Sequence, residues 1–186
     1  SNEYIWMLSN WLKSVLLAES GKFDEGIALV HTSLPPALLF CCAAISHLSR
    51  GKELSAHKSD DQAKNEFEAA VIDIEIAKSN LKSYRVADPA FQGFIKDFIH
   101  FTKARILVEA RGDTGEALTE LTNISVLRPT VTSLLRKLYE AIIYDNEGWL
   151  SFACDTYSDI LKVLDSPYAK ERKKALECDS VSTIPV

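Results

Sequence analysis

Hydrophobic residues recur at three- and four-residue spacing along almost the whole sequence, which is the pattern of amphipathic α-helices. In the clearest case the charged residues lie on the other sides, and one face carries Phe67, Ala70, Val71, Ile74, Ala77, Leu81 and Tyr84. No stretch shows the sustained two-residue alternation of a half-buried β-strand. The pattern therefore predicts an all-α fold.

Glycines, prolines and the N-terminal capping residues Asp88, Asp113 and Ser166 mark the ends of the helical patterns. They predict helices at about 4–19, 23–32, 37–48, 61–84, 89–111, 113–127, 131–144, 149–164 and 167–177. Residues 49–61 are polar and contain Gly51, so we expect an internal loop or insertion there. Residues 178–186 are predicted to be a disordered tail. The short connections predict antiparallel neighbours.

Three segments of the sequence align without gaps around a glycine and a small residue five positions later. The pairs are Gly21 with Gly26, Gly112 with Ala117, and Gly148 with Ala153. The second and third glycines are separated by a length close to the roughly 34 residues of a two-helix repeat. The longer interval before Gly112 has room for one further helix pair and an insertion. The sequence thus predicts a helical-repeat protein.

These features resemble the tetratricopeptide repeat family, in which a glycine ends the first helix and a small residue lets the second approach it closely. The Gly112 pair also matches the family at Phe101, Ala104, Leu121, Ile124 and Pro129. The sequence departs from the family at Arg105, Lys137 and Glu140, where small, apolar or aromatic residues are usual. The resemblance implies a right-handed α-solenoid of about four antiparallel helix pairs and a C-terminal capping helix, in a single domain over residues 1–177.

The resemblance also implies a concave groove, lined by the first helix of each pair, that is apolar with acidic edges. Its predicted residues are Ile99, Thr102, Ile106, Glu109, Leu135, Leu138, Ile142 and Asp145. Family members that bind the acidic C-terminus of chaperones use Lys, Arg and Asn here, so that function is excluded. An amphipathic helix or extended peptide with apolar anchors and basic flanks would fit better. Another helix of the same parent protein is the alternative occupant.

A search for catalytic and metal-binding patterns finds little. The four histidines (31, 47, 57 and 100) are scattered, and none has a Cys, Asp or Glu at metal-ligand spacing on one helix. Asp60 and Asp61 lack the third acid of a magnesium-diphosphate motif, so they are interpreted as a helix N-terminus. The aromatic residues between Phe91 and Phe101 have core spacing. We predict no catalytic residue, metal, cofactor or small-molecule substrate.

The charge balance limits the classes of partner. Lys and Arg number 21 and Asp and Glu 26, a net charge of −5, whereas affinity for nucleic acids comes largely from basic residues. The leading hypothesis is therefore a non-enzymatic protein–protein interaction scaffold, a subunit of a larger complex. An RNA-binding repeat or ribonucleoprotein subunit is the alternative, and an enzyme built from scattered acids is the third hypothesis.

The cysteines and the longest apolar stretch indicate the cellular compartment of the protein. Cys41, Cys42, Cys154 and Cys178 are predicted to be buried, reduced thiols, as is usual in the cytoplasm or nucleus. The apolar stretch from residue 37 to 45 is half the length of a membrane helix. We predict a cytoplasmic protein, with the nucleus as the alternative, and no membrane insertion. Because the sequence begins with Ser, we expect it to be a piece of a longer protein.

Overall fold

The computed structural model describes residues 2–30, 35–83, 89–126 and 130–178. Within these ranges the chain forms nine α-helices and no strand, which confirms the all-α prediction. The helices are α1 (Asn2–Glu19), α2 (Phe23–Val30), α3 (Pro36–Ala56), α4 (Asp60–Ser83), α5 (Pro89–Arg111), α6 (Thr114–Leu121), α7 (Val131–Asn146), α8 (Leu150–Leu161) and α9 (Pro167–Ala175).

The three aligned glycines end α1, α5 and α7, as the repeat pattern predicts. Gly21, Gly112 and Gly148 have φ values of +81°, +67° and +72°, in the left-handed region that glycine adopts at low cost. The small residues five positions later are buried in α2, α6 and α8. At Gly26 an added Cβ would lie 3.0 Å from the Ser14 carbonyl oxygen, so a side chain there would push α2 away from α1.

The predicted loop at residues 49–61 is wrong. Helix α3 continues through Gly51 to Ala56, a short turn follows with Lys58 at a φ of 60°, and α4 begins at Asp60. A Cβ at Gly51 would lie 2.5 Å from the Phe67 Cε1 atom, so glycine lets the α4 ring pack on α3. Gly51 is therefore a packing position inside a helix, although glycine usually weakens one.

Helix α6 is shorter than predicted, since it ends at Leu121 instead of continuing to residue 127. Turn geometry follows, in which Ile124 is fully buried and the Arg136 guanidinium donates to the Thr122 and Ile124 carbonyl oxygens. These contacts hold the chain in a turn where local periodicity favours a helix. Helix α8 likewise ends at Leu161 instead of residue 164.

Several sequence predictions fall outside the described residues. They are the end of the second helix at Thr32, the residue Tyr84, the Asp88 cap, the closing Pro129 and the tail from residue 179 onward. The N-terminal caps of α6 and α9 do lie within the described part and are confirmed. The Asp113 carboxylate accepts from the Glu116 amide at 2.9 Å, and the Ser166 hydroxyl accepts from the Ala169 amide at 3.2 Å.

The chain divides into two compact units, an N-terminal unit of residues 1–120 and a C-terminal unit of residues 121–186. In the N-terminal unit α3 packs along α4, α1 packs on α2 and α3, and α5 packs on both α3 and α4. The Trp11 ring meets the rings of Phe94 and Phe98 edge-on, with centroids 5.3 and 4.6 Å away. This confirms the core interpretation of the α5 aromatics. The single domain over residues 1–177 stays a prediction.

In the C-terminal unit α7 packs on α8, and α8 packs on α9. Its core is formed by Ala141, Ala153, Tyr157, Ile160 and Ala169. A disulfide joins Cys154 of α8 to Cys178, and both residues are buried. The prediction of reduced thiols is therefore wrong for these two, and Cys178 is not part of a disordered tail. Cys41 and Cys42 are free and buried, as predicted.

Candidate functional site

Three predicted groove residues of the N-terminal unit lie in the interior. Ile99, Thr102 and Ile106 of α5 have exposures of 1%, 0% and 2%, so their side chains cannot contact a partner in this structure. The Thr102 hydroxyl is buried with no hydrogen-bond partner among the described residues. The family pattern placed these positions on an open surface, but α5 is apolar on most of its circumference, and such a helix is buried on most sides.

The fourth residue, Glu109, belongs to a network of ion pairs. Its carboxylate accepts from Arg105 Nε at 2.9 Å and from Lys52 Nζ at 2.6 Å, and Arg105 Nη2 also contacts Glu19 at 2.9 Å. Burial opposes the charge of Glu109, but Arg105 and Lys52 outweigh it and lower the pKa of the carboxyl group. Glu109 is therefore not an acidic groove edge, and Arg105, a departure from the family, has a structural role.

The C-terminal unit places its four predicted groove residues differently. Leu135 and Ile142 are half-buried, whereas Leu138 packs against the core of the unit. The Asp145 carboxylate accepts from Arg172 Nε at 2.8 Å and Nη2 at 2.9 Å, and from the Tyr157 hydroxyl at 3.2 Å. Asp145 thus connects α7 to α8 and α9 and is not available as an acidic edge. Only Leu135 and Ile142 keep part of the predicted surface.

The N-terminal unit contains a cavity of about 260 Å³ where the end of α3 meets α4 and α5; we call it the α4/α5 cavity. Its apolar lining is wholly or partly buried and consists of Ala63, Phe67, Val71 and Ala110. Its charged lining is exposed and consists of Asp60, Lys64, Glu68 and Arg111. An apolar interior with a few polar groups at the opening is typical of a binding site.

Local sequence explains how this cavity forms. Phe67 reaches over α3 because Gly51 has no side chain, so the ring lies beside the cavity and lines it. Ala63 and Ala110 keep the facing parts of α4 and α5 free of large side chains. Val71 and Arg111 also line a second cavity of about 70 Å³, which extends toward Ile106 and Lys103. The two cavities therefore share a boundary along α4 and α5.

The charged opening of the α4/α5 cavity has no net charge, since two acids face two bases. Such a rim can hydrogen-bond the backbone or polar flanks of a peptide whose apolar side chain enters the cavity. The acids do not gather into a metal site, because the described residues hold no group of three His, Cys, Asp or Glu side chains suited to a metal ion. Asp60, considered above as part of a magnesium motif, lies at this opening.

No helix in the described part of the chain is long and apolar enough to span a bilayer. No family model, curated protein or solved structure matches the chain.

Sequence reasoning missed the α4/α5 cavity because Gly51 was interpreted as a loop residue. Of the predicted groove residues, Ile106 lines the smaller second cavity beside it. The signal that could have found the α4/α5 cavity is that Gly51 lies three positions from both Leu48 and Leu54, so helical spacing continues through the glycine. Phe67 follows 16 positions later on the next predicted helix.

Proposed function

We propose that this chain is a non-enzymatic helical-repeat scaffold, a right-handed α-solenoid of the tetratricopeptide type, that binds a segment of a partner protein. The repeat is supported by three glycine-ended helices, each followed by a helix with a buried small residue. Helical repeats of this kind commonly serve as extended binding surfaces. The α4/α5 cavity is the observation on which the binding proposal rests.

The partner segment has a large apolar side chain that enters the cavity and contacts Phe67 and Val71. Its neighbouring polar groups meet the opening at Lys64, Glu68 and Arg111. This mode of binding uses one buried anchor and a polar rim. A few buried residues usually carry most of the binding energy of a protein interface. The predicted groove of the sequence analysis is replaced by this cavity in the N-terminal unit.

The proposal is tested with random peptides displayed on phage and selected against the immobilised chain. We expect the recovered peptides to share a large apolar residue. Fluorescein-labelled copies, titrated by anisotropy, should bind the Val71→Glu variant at least about tenfold more weakly, which corresponds to about 1.4 kcal/mol. The new carboxylate would put a charge in the apolar interior of the cavity, where the large apolar side chain of the peptide is proposed to bind.

Ile72→Glu is the matched control, because Ile72 is the next residue of α4, is 60% exposed and lies outside the cavity lining. Circular dichroism should show that both variants stay folded. Equal binding to both variants would place the peptide site elsewhere. Failure to recover any peptide with an apolar anchor would contradict the proposed mode of binding.

A further inference from the structure

Three aromatic side chains of the C-terminal unit meet at the turn between α7 and α8, and we call them the aromatic cluster: Tyr144, Trp149 and Phe152. The centroid of the Tyr144 ring lies 5.9 Å from that of Trp149 and 5.6 Å from that of Phe152. Trp149 is 45% exposed and Phe152 is 62% exposed. Aromatic residues are enriched at protein interfaces, so an exposed cluster of them is a candidate contact surface.

The geometry of the aromatic cluster favours a flat ligand. The plane of the Tyr144 ring is tilted by 32° from that of Trp149 and by 43° from that of Phe152. Rings at these distances and angles touch each other and leave no space for a ligand between them, unlike the rings of a cage for a methylated ammonium group. A guanidinium group is planar and stacks on the outer surface of an aromatic ring. The exposed parts of Trp149 and Phe152 provide that surface.

The charge pattern around the aromatic cluster favours a cation. The segment from residue 138 to residue 161 contains no Lys or Arg, and it contains five acids: Glu140, Asp145, Glu147, Asp155 and Asp159. Bases from outside this segment pair with three of the five: Glu140 with Arg136, Asp145 with Arg172 and Asp159 with Lys162. The other two, Glu147 and Asp155, are exposed and form no ion pair within the described part of the chain.

These two acids lie beside the aromatic cluster. Glu147 is in the turn two residues before Trp149, and Asp155 follows Phe152 by three positions, one turn along α8. The C-terminus of α7 and the N-terminus of α8 meet at this turn with dipoles of opposite sign, so the side-chain charges set the sign of the local potential. Lys162 lies within electrostatic range of Asp155, but its ammonium group already forms an ion pair.

We propose that the aromatic cluster binds an arginine side chain of a partner protein, with the guanidinium group stacked on the exposed rings and attracted by the carboxylates of Glu147 and Asp155. Arginine combines a planar group with a permanent positive charge and weak hydration. These properties suit a ring surface that has carboxylates beside it, because the face of an aromatic ring also attracts a cation.

Charge distinguishes this partner from others that an aromatic surface accepts. Nucleic acid bases also stack on exposed rings, but their phosphates would face the acids of the segment. The same surface of a second copy would bring acids against acids, and an aliphatic segment would make no use of the carboxylates. The aromatic cluster lies within the C-terminal unit and shares no residue with the α4/α5 cavity, so the proposal does not depend on peptide binding there.

The test titrates the isotope-labelled chain with a peptide that carries two arginines among glycines, and follows the indole N–H signal of Trp149 by NMR. The loss of this signal in Trp149→Leu assigns it. Two matched peptides carry citrulline, which has the shape of arginine without the charge, or lysine, which has the charge without the planar group. We expect the citrulline peptide to bind at least about tenfold more weakly than the arginine peptide, and the lysine peptide to be intermediate.

Substitutions in the chain test the two parts of the surface separately. Phe152→Leu keeps an apolar side chain but removes the ring, and Glu147→Gln removes a charge, so each should weaken binding of the arginine peptide about threefold or more. Leu150→Ala is the matched control, because Leu150 is 42% exposed on α8 but lies outside the aromatic cluster. The control variant should bind as the unaltered chain does. Circular dichroism checks that all variants stay folded.

Three results would overturn the proposal. They are the absence of binding at millimolar arginine peptide, equal affinity for the arginine and citrulline peptides, and binding that neither Phe152→Leu nor Glu147→Gln weakens more than Leu150→Ala does. If a uridine oligonucleotide shifts the Trp149 signal and the arginine peptide does not, the aromatic cluster is a base-stacking surface instead.

Discussion

The sequence pattern and the structure place Gly51 in different kinds of element. In the sequence it lies in a polar stretch and indicates a loop, because glycine is a poor helix former. In the structure it is a buried residue of α3 on which the Phe67 ring packs. The local preference is overridden by a contact with the neighbouring helix, which the sequence pattern around Gly51 does not contain.

We expect Gly51→Ala to destabilise the protein by about 1 kcal/mol, although alanine is the better helix former. The added methyl group would lie 2.5 Å from the Phe67 ring, and overpacking of this kind costs roughly 1–3 kcal/mol, more than the helix propensity returns. Urea unfolding at neutral pH measures the change.

The same substitution in a Phe67→Leu background provides the control. Leucine lacks the ring atoms that the new methyl group would meet, so Gly51→Ala should there be neutral or stabilising. If Gly51→Ala stabilises both backgrounds by the same amount, the contact between the ring and the glycine does not constrain this position.

At the scale of helices, the ion-pair network joins three elements of the N-terminal unit. Glu19 is in α1, Lys52 in α3, and Arg105 and Glu109 are in α5. The side chains of Arg105 and Glu109 are only 14% and 15% exposed. Buried ion pairs contribute little on average, but the loss of one partner leaves the other charge buried and uncompensated.

Arg105→Leu should therefore lower the free energy of unfolding by about 2–4 kcal/mol at pH 7. The pKa of Glu109 is lowered in the folded chain, so its stabilising effect is present above the ordinary pKa of a glutamate, about 4.3, and is lost as the pH falls through the lowered folded value. The cost of Arg105→Leu should shrink over the same acidic range. Urea unfolding between pH 7 and pH 3 checks both expectations.

Two further variants test the explanation. Adding Glu109→Leu to Arg105→Leu removes a buried carboxylate whose remaining partner in that variant is the half-exposed Lys52, and should recover much of the lost stability. Lys162→Ala breaks an exposed pair with Asp159 and should have no measurable effect. A double variant no more stable than Arg105→Leu alone would show that the packing of Arg105 matters more than its charge.

The disulfide between Cys154 and Cys178 links α8 to the residues that follow α9. It closes a loop with a sequence separation of 24, and disulfides of this kind typically stabilise by about 2–4 kcal/mol. We expect Cys178→Ser to speed amide hydrogen exchange in α9 and to leave exchange in α3–α5 unchanged. Dithiothreitol should have the same effect on the unaltered chain and none on the variant. If neither Cys178→Ser nor dithiothreitol changes the rate of amide exchange in α9, the disulfide does not stabilise that helix.

At the scale of the whole molecule, sequence periodicity was sufficient to predict an all-α fold and the glycine-ended helices. Helix formation and glycine termini depend on residues close together in the chain, so the pattern contains them. Contacts such as that of Arg105 with Glu19, and of Arg136 with the turn after α6, join distant residues. For that reason the sequence did not predict the ion pairs of Glu109 and Asp145 or the α4/α5 cavity.

The acidic composition still disfavours the RNA-binding alternative, which needs a basic surface. The cytoplasmic location stays a prediction. It depended partly on four reduced cysteines, and the disulfide removes that support for Cys154 and Cys178. Disulfides persist mainly in oxidising compartments.

The adjacent thiols of Cys41 and Cys42 have a practical consequence. Both are buried in α3, and burial raises the pKa of Cys41 well above its usual range and that of Cys42 to about 12. The thiolate is the form of cysteine that attacks an alkylating reagent, so these two sulfurs stay unreactive until α3 opens. The kinetics of their modification by iodoacetamide therefore report local opening of α3, with no label or engineered probe added to the protein.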